Sequence, residues 1–179
     1  LPFWALKLRH PTSCVAKGPA VNQETAPLGM QVTWEFAARG DLPPVTLTWR
    51  DGNRVSRRVN GYNVPKSGVM FVGSKGELLA EYHNYALLPA DKFADFHPPE
   101  RTIAPSIGHH AEWIQACKEG GPTTCNFDYS GALTETVLLG NVAFRTGEKI
   151  VWNAAELKVV GNDVAQALIQ RDYRPGWKL

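Results

Sequence analysis

Cysteine is scarce in this chain of 179 residues, which has only Cys14, Cys117 and Cys125. An odd count without any CxxC spacing excludes a zinc ribbon and argues against a disulfide framework. Three buried free thiols are the expectation. An excess of either charge is also missing: 19 Lys and Arg against 17 Asp and Glu leave +2. That balance offers no basic face for nucleic acid. No run approaches the roughly 20 apolar residues that cross a bilayer, so no membrane partner is expected. The opening LPFWALKLRHP has no basic leader, no small-residue cleavage site and no initiator methionine, so a chain processed or cut from something longer is expected. GxGxxG and GxSxG are absent, which leaves no conventional dinucleotide fingerprint and no nucleophile elbow. In GVMFVGSKG, Ser74 precedes Lys75, the reverse of a phosphate-binding loop, and the segment reads as strand, turn, strand.

What is present is alternation. In MQVTWEF, Met30, Val32, Trp34 and Phe36 fall on one face and Gln31, Thr33 and Glu35 on the other, the pattern of a half-buried strand. VTLTW repeats it with Val45, Leu47 and Trp49. The eight residues AARGDLPP between them predict an antiparallel hairpin with a wide loop. VMFVG and ELLAEY flank SKG, which adds a third and a fourth strand to one antiparallel sheet. FWALKL reads as the last turns of a helix ended by RHPTS.

Residues 89–106 hold four prolines and little periodicity, so they form a long loop of the kind that is usually functional. Helical spacing resumes at Ser106. His110, Trp113, Ile114 and Cys117 share one side, Glu112, Gln115, Lys118 and Glu119 the other, and Gly120 stops the helix. The strongest helix covers 130–146, with an apolar stripe of Leu133, Val137, Leu138, Val142 and Phe144. A strand KIVW and a short helix capped by Asn162 or Asp163 follow. Strands first and helices afterwards predict one α+β domain over 1–179, with an open, mainly antiparallel sheet and helices packed on one face.

The stretch SIGHHAEWIQACKEGG places His109 and His110 in the first turn of a helix. Zinc proteases set two histidines at i and i+4, on one face. Here they stand at i and i+1, about 100° apart on a helix, so no metal is expected. Two readings remain: residues of a polar pocket for a polyhydroxylated ligand, or a helix start whose rings bond backbone.

Several blocks in order carry a resemblance: WALKLRHPTS, ETAPLGMQVTWEFAARGDLPPVTLTWRDG, FVGSKGELL and the run from GHHAEW to RPGWKL. Together they resemble the carboxy-terminal half of Gfo/Idh/MocA oxidoreductases, in particular a bacterial branch often exported by the twin-arginine route. The resemblance covers essentially the whole chain. It implies a bacterial cytoplasmic or periplasmic enzyme of two domains, with an amino-terminal Rossmann domain that binds NAD or NADP. The second domain would resemble that of glyceraldehyde-3-phosphate dehydrogenase, facing the active site and mediating homo-oligomerisation through its sheet. It implies no cofactor held by this chain and no catalytic residue in it, since the family's lysine and Asp/His motif precede a segment like PFWALKLRHP. The residues expected to line the substrate side are His109, His110, Trp49 and Tyr82. Relatives of this branch would carry arginines where this chain has Ala86 and Pro105. The expected function is substrate binding and assembly for an NAD(P)-dependent oxidoreductase acting on a sugar or polyol. The alternative is a stand-alone carbohydrate-binding or scaffold domain without redox chemistry.

Overall fold

The computed structural model describes residues 1–177; Lys178 and Leu179, which end the last block of the resemblance, lie outside the described residues. The chain divides into two compact units. Leu1–Lys66 and the segment from Gly131 onward form the first, and Ser67–Ser130 the second. The fold is α+β with antiparallel sheets throughout.

The first unit opens with helix α1 (Pro2–Ala5). Lys7 then takes a left-handed φ of 51°, so the helix ends before RHPTS is reached. Strands β1 (Ser13–Lys17), β2 (Gln31–Phe36) and β3 (Val45–Arg50) follow, then a short hairpin of β4 (Arg58–Val59) and β5 (Tyr62–Asn63). Helix α3 (Phe127–Thr146, numbered after α2 below), which belongs to this unit from Gly131 onward, β9 (Ile150–Asn153), β10 (Lys158–Val159) and helix α4 (Asp163–Ala167) complete it. The open sheet has five strands in the order β10-β9-β1-β2-β3.

Cross-strand partners share a face, so the register assigns every side chain. Cys14 lies opposite Trp34 and Ile150, Trp34 opposite Leu47, and Val32 opposite Trp49. With Phe36, Trp152 and Val159 they form the apolar face, most of it buried. The other face is polar and internally paired. Arg50 Nε donates to Gln31 Oε1 at 3.0 Å, Thr33 and Thr48 hydroxyls meet at 3.2 Å, and Thr46 Oγ1 donates to Glu35 Oε2 at 2.7 Å. The alternation read from MQVTWEF and VTLTW is the alternation observed.

Helix α3 covers the apolar face. Its buried residues are Ala132, Thr136, Leu139, Gly140, Val142 and Ala143, and most of these are small. A Cβ at Gly140 would stand 3.0 Å from Trp34 Cζ2 and 3.0 Å from Val32 Cγ1, so the backbone itself rests on the sheet. The expected stripe is therefore corrected: Val137 and Leu138 are exposed, because close approach selects small side chains over large ones. Cys14 Sγ donates to Leu139 O at 3.3 Å, and burial pushes its thiol up from 9.0 to about 12. Asn162 Oδ1 accepts from Ala165 N at 2.8 Å and caps α4.

The second unit holds β6 (Val69–Gly73), β7 (Gly76–Ala80), β8 (Tyr85–Leu88) and helix α2 (His109–Glu119), and the first residues of α3. Its three strands form a separate sheet, β6-β7-β8. The four strands expected in one sheet thus belong to two, since an alternating pattern marks a strand without naming its neighbour. Phe93, in a short 3-10 turn, packs where Gly76 has no side chain; a Cβ there would lie 2.7 Å from the ring. None of the residues from Ser67 to Ser130 is fully buried. Cys117 and Cys125 are exposed, contrary to the expectation of three buried thiols. Helix α2 likewise buries none of its residues, so Trp113, Ile114 and Cys117 form an exposed face in place of the expected core side. Glu112 accepts from Thr124 through both its backbone N–H and its hydroxyl, and these bonds hold its carboxyl below the usual range.

Candidate functional site

The candidate residues are divided between the units. Trp49 belongs to β3 in the first; His109, His110 and Tyr82 belong to the second. Trp49 is 58% exposed. It lies on the helix-covered side of the sheet, but on the edge strand. Its ring offers a broad apolar surface of the kind that stacks on sugar rings. Tyr82 is 95% exposed, in the turn between β7 and β8, with its ring 6.3 Å from that of His83.

His109 and His110 open α2. The residue before them, Gly108, is the N-cap, with a φ of 92° that favours glycine. Ser106 does not cap the helix; its hydroxyl accepts from Gly108 N at 3.0 Å. The two imidazoles do not point apart as helical spacing alone predicts. Their ring centroids are 4.1 Å apart with planes at 51°, because the side-chain torsions bring together rings that the backbone directs apart. Both are exposed. Neither lines the depression of about 230 Å³ beside α2, which is edged by Glu112, Gln115 and Glu119. Among the described residues no three His, Cys, Asp or Glu side chains are placed to hold a metal ion.

One polar cluster was not anticipated. Glu135 on α3 receives two bonds on the same oxygen: Trp152 Nε1–H donates at 2.8 Å, and His10 Nδ1 stands at 2.8 Å. A carboxylate oxygen only accepts, so Nδ1 carries a proton in this contact. Trp152 is buried and His10 is half exposed. A carboxylate that orients an imidazole in this way can position a proton acceptor. Here it also ties the segment before β1 to α3 and β9, and Thr136 Oγ1 adds a bond to Arg9 O at 3.3 Å. His10 and Glu135 are 125 positions apart, and no local motif joins them.

Helix α2 follows a long loop, α3 follows Asn126, and α4 has five residues; among the described residues no strand leads through a glycine-rich turn into a helix N-terminus. Among the described residues no helix is long and apolar enough to cross a membrane. Compared with known proteins, the chain matches no family model and no curated sequence.

Proposed function

We propose that this chain is the substrate-binding and assembly half of an NAD(P)-dependent oxidoreductase of the Gfo/Idh/MocA kind, acting on a sugar or polyol. The observation that carries the reading is the five-stranded open antiparallel sheet, closed by α3 on one face and polar on the other. It supports the reading because a domain of that architecture is what the ordered sequence blocks imply. The finer resemblance to the second domain of glyceraldehyde-3-phosphate dehydrogenase belongs to the same proposal. In this reading Trp49 of the first unit offers a ring face for stacking, and, taken separately, His109, His110 and Tyr82 of the second offer polar groups. The rows of Gln31, Thr33, Glu35, Thr46, Thr48 and Arg50 meet a second copy through hydrogen bonds more than apolar burial. NAD or NADP would be held by the enzyme's own Rossmann domain.

The test is the encoding gene and its full product. A GxGxxG after a strand, then Lys-Pro and an Asp/His motif ahead of Leu1, with NAD(P) reduction by a polyol or sugar, is the expected outcome. Sugar binding without any such motif or turnover would leave the carbohydrate-binding or scaffold domain in its place. Calorimetry on the chain alone should show no saturable binding of NAD or NADP in the micromolar range.

A further inference from the structure

The first unit carries a depression of about 480 Å³ walled by Ala16–Val21, Arg54 and the end of α3 with Gly147. Three lining residues are cations, Lys17, Arg54 and Arg145, and none is acidic. Over the whole chain the two signs nearly cancel, so this is a local excess. Among the described residues none of the three has a carboxylate within salt-bridge distance. The neighbouring acid, Glu148, is engaged by Asn162 Nδ2 at 2.6 Å. The lining also carries apolar side chains. Phe144 is half-buried, and its ring occupies the place of a side chain at Gly18, where a Cβ would lie 2.6 Å from Cε2. Pro19 and Val21 continue that surface.

A concavity lined by one sign of charge concentrates counter-ions. Guanidinium groups match phosphoryl oxygens in a bidentate fork, and an aromatic ring beside them accepts a flat apolar body. We propose that this depression binds a small phosphorylated compound, its dianionic group among Lys17, Arg54 and Arg145 and its flat portion against Phe144. The site is independent of the oxidoreductase reading.

The probe is phenyl phosphate, titrated into the isotope-labelled chain at low salt beside inorganic phosphate and phenol. Saturable amide shifts at Gly18 and around Phe144 are expected in the millimolar range or below, tightest for phenyl phosphate. Added salt should weaken them, as it does exposed charge contacts. Each of Arg54→Gln and Arg145→Gln should weaken binding roughly two- to fivefold, the range for solvent-exposed ion pairs. Both side chains are exposed, so the variants are expected to fold, which their unshifted amides elsewhere would show. Three outcomes overturn the proposal: no saturation, phenol binding as tightly as phenyl phosphate, or both variants binding like the parent.

Discussion

Glu135→Ala is the most informative single perturbation of the first unit. It removes the acceptor of two hydrogen bonds at once. Trp152 is buried, so its indole N–H is left without a partner, at a cost of about 1–3 kcal/mol. His10 is half exposed and exchanges its carboxylate for water, a loss of less than about 1 kcal/mol. The sum is roughly 2 kcal/mol, read as a lower urea midpoint at unchanged slope. Glu135→Gln keeps one oxygen for Trp152 and should cost about half as much. The discriminating measurement is a double-mutant cycle. Trp152→Phe deletes the N–H, so on the Glu135→Ala background it should recover about 1 kcal/mol of coupling. Equal midpoints for parent and Glu135→Ala, or a coupling of zero, would refute the reasoning and leave the cluster a surface tie without energetic weight.

Three further outcomes follow from the packing. Gly140→Val should destabilise the first unit by about 2 kcal/mol or more through collision with Trp34 and Val32, and Gly140→Ala less, since helix propensity offsets part of it; thermal melts rank the two. In the native protein a thiol reagent near pH 8 should label Cys117 and Cys125 and spare Cys14, counted by mass. Because the Cys14 pKa is raised on folding, its neutral form contributes stability that is intact below about pH 9 and lost as pH rises towards about 12; Cys14→Ala should flatten that alkaline loss in urea midpoints taken across the range. His110→Ala and His109→Ala should both melt within about 0.5 kcal/mol of the parent, as exposed sites do, so a kinetic change in a complete enzyme would mark a ligand contact.

The parts legible in the sequence were those where large apolar residues alternate with polar ones. Val32, Trp34 and Phe36 announce β2 and its inward face. By contrast, β1 buries Cys14 and half-buries Ala16, side chains too small to write a pattern, and it went unread. Helix α3 was legible, but its inward face only in part. Its buried face combines the small Ala132, Thr136, Gly140 and Ala143 with Leu139 and Val142, so of the expected stripe Val142 is buried, Leu133 and Phe144 are half-buried, and Val137 and Leu138 are exposed. Sheet membership was not legible at all, because the bonds that join β1 to β9 lie between residues 14 and 150. Of the candidate site, the helix was legible in the spacing, but its start was read at Ser106, whereas Gly108 is the N-cap. The ring contact of the two histidines depends on torsions that spacing does not encode, and the His10–Glu135 pair depends on the tertiary fold.

The nested order of the chain has a consequence for how the molecule is made. Strand β1 lies between β2 and β9, yet the whole of Ser67–Ser130 is synthesised between the two partners. A nascent chain can zip β1, β2 and β3 together early, since those pairings are local. It cannot cover their apolar face until α3 has left the ribosome, nor close the edge of β1 until Ile150 follows. Lengthening the intervening segment adds little to the closure cost, which grows only with the logarithm of length. The delay is set by the rate of translation, about 5–20 residues per second, and throughout it Val32, Trp34 and Phe36 face water. Synthesis of this protein therefore passes through an interval in which a greasy three-stranded ribbon waits for its lid, the stage at which a chaperone has most to hold.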